Sequence, residues 1–330
     1  MSMQESSRRR LLATLVAVAA TTGTALAPVH AQSAYPERAV SLVVPYPAGG
    51  PTDAAARLLA TKMSEQLGQP IVVENKGGAA TIVGTEHVRN ARPDGYTLLF
   101  AATSTFGTNP HLYRKLPYRL ADFTAISGVS KVPYVLTVAP SSPPTDARSF
   151  IEWAKTRPKG ANFGSVGTGS STHVAGVMLA KALGIELLEI PYKGMAAATT
   201  DLMGGMIDSV IETVAVQNLY AAGKVKVLGI MDGQRWPGMP EVPTFEEQGF
   251  PETNAASVYY LMAPAGVPAD VQRKLAEAAT KVLNDKDVKA QFLQIHHLAM
   301  PMPPEETLAF ISKDSERWGK VIRELGLQLD

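Results

Sequence analysis

Short apolar runs alternate with segments of helical periodicity along most of the chain. Near-continuous apolar stretches at residues 40–44, 70–75 and 96–102 are typical of strands, and the last resembles strands covered on both faces. Residues 54–67 and 82–90 lie between them, and their pattern favours helices. This alternation of strand and helix predicts βαβ units and a mainly parallel sheet.

The second half of the chain repeats the pattern. After a crossover at residues 132–138, strands and helices alternate again as far as residue 230. The predicted strands are 161–164, 187–191, 208–213 and 225–230, and the predicted helices are 149–156, 172–183, 196–204 and 214–222.

An irregular region rich in Gly and Pro, residues 232–251, then carries the chain back. A strand at 257–262 and two amphipathic helices at 269–284 and 304–325 follow. We therefore predict two similar α/β lobes joined by two crossover segments. Lobe 1 comprises residues 32–131 plus 233–330, and lobe 2 comprises residues 132–232.

The first 31 residues have the pattern of a secretory signal. Three arginines, Arg8 to Arg10, precede an apolar run from Leu11 to about Ala27, and Val29-His30-Ala31 forms a small-residue cleavage site. The arginines suit an ordinary Sec signal and also resemble a twin-arginine signal. The sequence predicts a periplasmic protein whose mature part begins at residue 32.

Composition and charge exclude some functional and structural classes for the mature chain. Removing residues 1–31 takes away three of 31 basic and one of 30 acidic residues, which leaves a net charge near −1. Nucleic-acid binding needs a concentrated basic face, so it is not expected. The chain has no cysteine, and so its stability must come from a sizeable core and not from disulfides.

The loop after the first strand is the strongest candidate site. Gly49 and Gly50 allow close approach of a ligand to the backbone, and a helix start follows directly, with Thr52 or Asp53 as the expected N-cap. N–H groups at the positive end of a helix bind anions, carboxylate as well as phosphate. An ordinary strand–helix turn without a ligand is the competing interpretation. The polar run at 103–105 should lie at the same sheet edge.

Residues 164–171 form a second glycine loop before a helix. Gly167-Thr168-Gly169 lacks the third glycine of a dinucleotide site, no acidic residue follows at a strand end about twenty positions on, and no Gly-Lys-Ser/Thr of a P-loop follows. The small polar residues repeat the anion-site pattern of the first loop. Two such loops facing each other across a cleft predict one ligand site.

The sequence gives little support for a catalytic site or a metal site. Ser170 or Ser171 with His173 would be a poor nucleophile–base pair at a helix start, and no G-x-S-x-G elbow is present. Adjacent His296 and His297, placed on a strand, would point to opposite faces, so neither a metal nor another cofactor is expected. Lys193 is equally consistent with an ion pair to a carboxylate and with a solvated turn.

Several motifs in fixed order make the chain resemble the extracytoplasmic solute-binding proteins of tripartite tricarboxylate transport, the Bug family. The resemblance covers nearly the whole mature chain. The motifs lie at residues 44–53 with Arg57, 73–77, 93–99, 109–113, 164–173, 191–194 and 263–268.

The resemblance implies an α/β periplasmic-binding-protein fold, type II-like, whose lobes close on a small carboxylate held by backbone N–H groups and waters. It implies a non-catalytic monomer whose partner is an inner-membrane transport complex or, alternatively, a sensor. An exported enzyme acting on a carboxylic acid is the rival from another class. The residues expected to bind the ligand are Tyr46, Ala48, Gly49, Thr52, Asp53, Ser104, Ser165, Thr168, Ser170 and Tyr192. Asp53 is expected to cap the helix and hold water.

One departure from the family pattern concerns the strand before residue 263. The family commonly has Trp and, two residues on, Gly where this chain has Val258 and Tyr260. This exchange predicts a changed pocket shape.

Overall fold

The structure, a computed structural model, describes residues 35–157 and 160–329. The predicted signal segment, residues 1–31, lies outside the described residues. Most predicted strands are found within two residues of their expected bounds. The strands are β1 Val40–Val44, β2 Ile71–Asn75, β3 Thr97–Ala102, β4 Phe123–Val138, β5 Ala161–Ser165, β6 Leu187–Pro191, β7 Ser209–Thr213, β8 Lys226–Ile230, β9 Ala256–Pro264 and β10 Leu298–Met302.

The helices also follow the sequence pattern closely. The helices are α1 Pro51–Leu67, α2 Ile82–Arg89, α3 Asn109–Leu112, α4 Ala147–Lys155, α5 Ser171–Leu183, α6 Met195–Met203, α7 Gln217–Ala221, α8 Ala269–Asn284, α9 Lys286–Gln294 and α10 Pro304–Glu324. No helix in the described part of the chain is both long and apolar enough to span a membrane.

The strands join into one curved sheet with two halves that share β4. The order is β2-β1-β3-β9-β4 in one half and β4-β7-β5-β6 in the other, with β8 and β10 also paired to β4. The outer pairs are parallel, as in βαβ units. Every pair that includes β4 or β9 is antiparallel. The prediction of a mainly parallel sheet is therefore wrong at the centre, because these strands return from long connections and not from βαβ crossovers.

Strand β4 merges two segments that the sequence separates. A crossover separate from the preceding segment was expected at 132–138, but one strand runs from Phe123 to Val138. Its first part pairs with β9 as far as Pro133, and its last five residues pair with β7 and β8. Pairing with different neighbours along its length lets one strand serve both halves of the sheet.

The helix after the first glycine loop begins three residues before its predicted start. Gly50 is the N-cap, Pro51 occupies the first turn, and no side chain caps the helix. Pro suits this position because its missing N–H would be unpaired there anyway. The expectation that Thr52 or Asp53 is the N-cap is therefore wrong. At the second loop the N-cap is Ser170, whose hydroxyl accepts from the His173 N–H at 3.2 Å.

Two clusters of buried side chains flank the sheet. One includes Phe150, Phe163 and Ile211 against Trp318, and the other includes Phe106 and Tyr260. Trp236 and Trp318 are buried, and the partly buried Trp153 packs against Phe150.

Helix α9 and strand β10 were not predicted. The histidine pair precedes β10 in a turn, where His296 has a φ of 64°, so the strand expected there is wrong. His297 is buried beside Tyr259, with ring centroids 5.0 Å apart, and its Nδ1 lies 2.9 Å from the Ser130 hydroxyl. Burial lowers the pKa of His297 to about 4, so the ring is neutral and packs as an aromatic residue.

Glu212 on β7 is buried, and its Oε1 has no hydrogen-bond partner among the described residues. Burial raises the pKa of Glu212 to about 7, and the Thr137 hydroxyl offsets only part of this effect. Because the folded-state pKa lies above the ordinary value of 4.5, the protein loses stability as the pH rises from there to about 7.

We therefore predict that Glu212→Gln raises the free energy of unfolding at about pH 8, by about 1–3 kcal/mol, since the amide cannot ionise. The gain should vanish below about pH 4.5, where the native residue is protonated in both states. Urea titrations across this pH range measure the free energy of unfolding, and the exposed-site variant Glu186→Gln is the control. A gain independent of pH would contradict the assignment.

Candidate functional site

Both glycine loops border one cavity of about 490 Å³. Its walls come from the end of β1, the turn before α2, the segment around α3, the second loop, β9 and the chain near residue 329. The lining residues are Pro45, Tyr46, Pro47, Gly78, Ala79, Ala80, Thr81, Ser104, Thr108, Asn109, Leu112, Tyr113, Val166, Gly167, Thr168, Gly169, Ser170, Ser171, Ser257, Tyr259 and Leu329.

None of the described residues that line this cavity is Lys, Arg, His, Asp or Glu. An anion bound here would therefore be recognised through hydroxyl and backbone N–H groups. Lys193, considered as a partner for a carboxylate, is exposed and does not line the cavity.

Four of the ten predicted ligand residues line the cavity: Tyr46, Ser104, Thr168 and Ser170. The Tyr46 hydroxyl lies 2.6 Å from the Ser104 Oγ. Burial raises the pKa of Tyr46, so its hydroxyl stays protonated. Each hydroxyl carries one proton and only one is needed between the two, so the pair retains one proton for a further acceptor. Ser104 lies in a helical turn, not in the loop expected at 103–105.

The remainder of the first glycine loop lies behind the cavity wall. Ala48, Gly49, Thr52 and Asp53 are not among its lining residues. The Gly49 N–H, expected to face a ligand, donates instead to the Asp53 Oδ2 at 2.9 Å. Thr52 donates its hydroxyl proton to the Tyr259 hydroxyl at 3.3 Å.

Asp53 is the centre of a network that fixes the first loop. It also accepts from Arg57 Nε at 2.9 Å and from the Asn75 amide at 2.9 Å. Burial by itself raises the pKa of Asp53, but the bonds from Arg57, Gly49 and Asn75 outweigh it and lower the pKa to about 2. Asp53 thus holds the loop from the side away from the cavity.

Tyr134 connects the two halves of the site through hydroxyl groups. Its hydroxyl donates to the Ser171 Oγ at 2.8 Å and lies 2.8 Å from the Ser257 Oγ. Since the single proton of Tyr134 goes to Ser171, Ser257 must donate to Tyr134. Ser171 keeps its own proton for an acceptor in the cavity. It was missed by sequence reasoning, which favoured its neighbour Ser170.

The last two predicted residues, Ser165 and Tyr192, also lie outside the lining set. The Ser165 hydroxyl donates to Glu189 Oε1 at 2.5 Å, and the Tyr192 hydroxyl donates to Asp201 at 2.8 Å. Both side chains thus bond within their own half of the molecule.

Both ring nitrogens of His173, the residue considered as a catalytic base, face groups other than the two serines. The Nδ1 of His173 accepts the Gly169 N–H at 3.0 Å, and its Nε2 lies 3.5 Å from Glu189. The Ser170 hydroxyl caps the helix instead of contacting the imidazole. This geometry does not assemble the nucleophile–base pair.

The turn before α2 is strained where it borders the cavity. Ala79, Ala80 and Thr81 have φ values of 44°, 49° and 82°, in the left-handed region that L-residues rarely adopt. Asn109 holds this turn by donating to the Ala80 carbonyl at 2.7 Å and to the Thr81 hydroxyl at 3.3 Å. Three such residues in succession mark a cavity wall whose shape the surrounding structure imposes.

The family model of the tripartite tricarboxylate transporter family receptor, TctC, matches residues 55–327. The chain belongs to this family. Three solved structures of similar proteins are informative. The periplasmic binding protein BugD is 34% identical, with a TM-score of 0.74 over 89% of this chain and 100% of that one. Rpa4515 from R. palustris, solved with adipate, is 30% identical, with a TM-score of 0.79 over 89% and 100%.

MatC (Rpa3494) from Rhodopseudomonas palustris, solved with bound malate, is 31% identical, with a TM-score of 0.73 over 87% of this chain and 100% of that one. These similarities confirm the two-lobed α/β fold of periplasmic binding proteins for the TctC-family chain.

The structure also clarifies the departure from the family pattern at Val258 and Tyr260. Both side chains are buried on the face of β9 away from the ligand cavity, where Tyr260 packs against Phe310. Their neighbour Tyr259 lines the cavity. The expectation that the exchange reshapes the ligand pocket is therefore corrected: it changes the packing behind the strand.

We predict that Ala80→Gly raises the free energy of unfolding by about 0.5–1 kcal/mol. Glycine adopts left-handed backbone angles without strain. This gain exceeds the loss of stability caused by the greater conformational entropy of glycine in the unfolded chain. Ala276→Gly within helix α8 is the matched control and should lower stability by about 1 kcal/mol. Thermal denaturation of both variants measures this. An equal loss in both would show that the Ala80 backbone is not strained.

Proposed function

We propose that this TctC-family chain is an exported, non-catalytic receptor that captures a small organic carboxylate between its two lobes. The observation that carries the proposal is the uncharged cavity bordered by both glycine loops, with hydroxyl donors from either side. Neutral donors bind a carboxylate without an ion pair when water is excluded around them.

Helix α5 supplies a donor set in the second lobe. Ser171 is its first residue, and the first-turn N–H groups of Ser171 and Thr172 have no acceptor within the helix. The positive end of the helix dipole adds to the attraction for an anion. We assign one carboxylate to these groups and the Ser171 hydroxyl. Tyr46 and Ser104 face it from the first lobe.

The size of the cavity supports a small ligand. A volume of about 490 Å³ lies in the range of small-molecule sites and accommodates a dicarboxylate with ordered water. Adipate and malate, the molecules in Rpa4515 and MatC, are both dicarboxylates. We propose a ligand of this class for the present chain.

Closure would take place about the β4 crossing. The lobe division at 131/132 and 232/233 remains a prediction of the sequence. Bonds from residues 243–250 to Ile230 and Leu228 favour assigning this segment to lobe 2, with the return crossing near Ala255. Hinge motion at these crossings is the expected mode for the architecture.

The family supports a role in delivering the ligand to a tripartite tricarboxylate-type transport complex in the inner membrane. We propose a periplasmic monomer that releases its ligand to that complex. The export signal at residues 1–31 would bring it there by the Sec or the twin-arginine route.

We predict that the mature protein is stabilised by dicarboxylates such as adipate and malate, because a ligand that binds only the folded state raises the midpoint of unfolding. Thermal shift and calorimetry measure the binding, and NMR of the ligand after long incubation tests for turnover. Consumption of a bound ligand would contradict the receptor assignment in favour of an enzyme.

We further predict that Ser104→Ala and Ser171→Ala each weaken binding about five- to tenfold, the effect of one lost hydrogen bond. The matched control is Tyr192→Phe, whose hydroxyl bonds to Asp201 outside the cavity and whose loss should leave the affinity unchanged. Titration calorimetry measures the three affinities. The site assignment fails if Tyr192→Phe weakens binding as much as the two serine variants do.

A further inference from the structure

Glu189 in the middle of β6 has a role that the sequence did not suggest. Its side chain is 14% exposed, and it accepts the hydroxyl protons of both Ser165, at 2.5 Å, and Thr168, at 2.9 Å. The Ser165 oxygen in turn accepts the Gly167 N–H at 3.0 Å. One carboxylate thereby fixes two hydroxyl groups and one backbone group of the second glycine loop.

His173 completes this network from the other side. Because its Nδ1 accepts the Gly169 N–H, the neutral ring must carry its proton on Nε2, which faces Glu189 at 3.5 Å. The second loop thus has the N–H groups of Gly167 and Gly169 committed to its own side chains. They are not available to a ligand in this arrangement.

Thr168 is the hydroxyl-bearing member of this network among the residues that line the cavity. A threonine hydroxyl has one proton, and here that proton goes to Glu189. The Thr168 oxygen can therefore offer only lone pairs to a ligand. The negative charge of Glu189 directly behind it repels a ligand carboxylate and attracts a positive or polarised hydrogen.

The arrangement divides the second half of the cavity into two chemical regions. Ser171 and the start of helix α5 are donors, whereas Thr168 is an acceptor held by a carboxylate. A ligand that satisfies both needs a carboxylate and, near it, a hydroxyl or amino group.

We propose that Glu189 makes Thr168 a hydrogen-bond acceptor, so that the site prefers dicarboxylates carrying a hydroxyl or amino substituent over the unsubstituted acids. This inference rests on the proposed function, since it concerns the same cavity. Glu189 acts through Thr168 and is a positioning residue, not a ligand contact.

The test compares matched ligand pairs by titration calorimetry: succinate with malate, and adipate with 2-hydroxyadipate. Wild-type protein should bind the hydroxylated member of at least one pair about tenfold more tightly, the effect of one added hydrogen bond to the Thr168 oxygen. Equal affinity within every pair that binds would overturn the inference and leave the carboxylate receptor standing. Failure of all four acids to bind would overturn both.

The decisive variant is Glu189→Gln, which keeps the shape but can accept from only one of the two hydroxyls and donates an N–H to the other. Because the Ser165 oxygen already accepts the Gly167 N–H, we expect the amide oxygen to stay with Ser165 and the amide N–H to face Thr168. Thr168 then gains the freedom to donate, and the preference should fall to less than about threefold. A general loss of structure would weaken both members of a pair equally, whereas the proposed role changes their ratio.

Thr168→Val is the second variant and decides the matter should Glu189→Gln fail to fold. It removes the acceptor while leaving Glu189 with Ser165, so the preference for the hydroxylated acid should again disappear. Exposed Glu186→Gln is the control and should retain the wild-type ratio. An unchanged ratio in Thr168→Val would overturn the inference.

Discussion

The pairing of strand β4 with four other strands is the constraint on which the remainder of the structure depends. It joins β9 and β10 along one part and β7 and β8 along the other. Because a strand in a sheet is held by regularly spaced backbone hydrogen bonds, this pairing fixes how the two halves face each other. Tyr134 lies in the segment of β4 where its partners change, and its hydroxyl joins β9 to the start of α5. The cavity is formed beside this strand.

Each glycine loop is held by a carboxylate that does not line the cavity. Asp53 binds the Gly49 N–H and Arg57 behind the first loop, and Glu189 binds Ser165 and Thr168 behind the second. The two carboxylates differ in how far a neighbouring positive charge compensates their own charge. Asp53 is neutralised by its arginine, whereas Glu189 faces His173, a ring whose pKa burial lowers despite the opposing effect of the carboxylate. The second loop therefore carries the less compensated negative charge, which favours a hydrogen-bond donor of the ligand at Thr168.

Val258 and Tyr260 pack on the face of β9 away from the cavity. The family commonly has Trp at the place of Val258 and Gly at the place of Tyr260. Here the smaller residue comes first and the larger second, and the Tyr260 ring packs beside Phe310, 6.4 Å between centroids. Such an exchange of volume between neighbouring positions is tolerated better than a net loss. Tyr259 lies on the opposite side of the strand and lines the ligand cavity.

The sequence by itself determined the local structure. Hydrophobic periodicity placed nearly every strand and helix, since backbone propensity and one-sided burial act over a few residues. Glycines before a helix start identified the two loops, and Tyr46, Ser104, Thr168 and Ser170 do reach one cavity. Only the tertiary structure decided which hydroxyls and N–H groups face that cavity. The protons of Gly49, Ser165 and Tyr192 go to carboxylates that lie 4, 24 and 9 residues away along the chain. The antiparallel centre of the sheet and the direction of Tyr259 were likewise decided by long-range pairing, which no local pattern encodes.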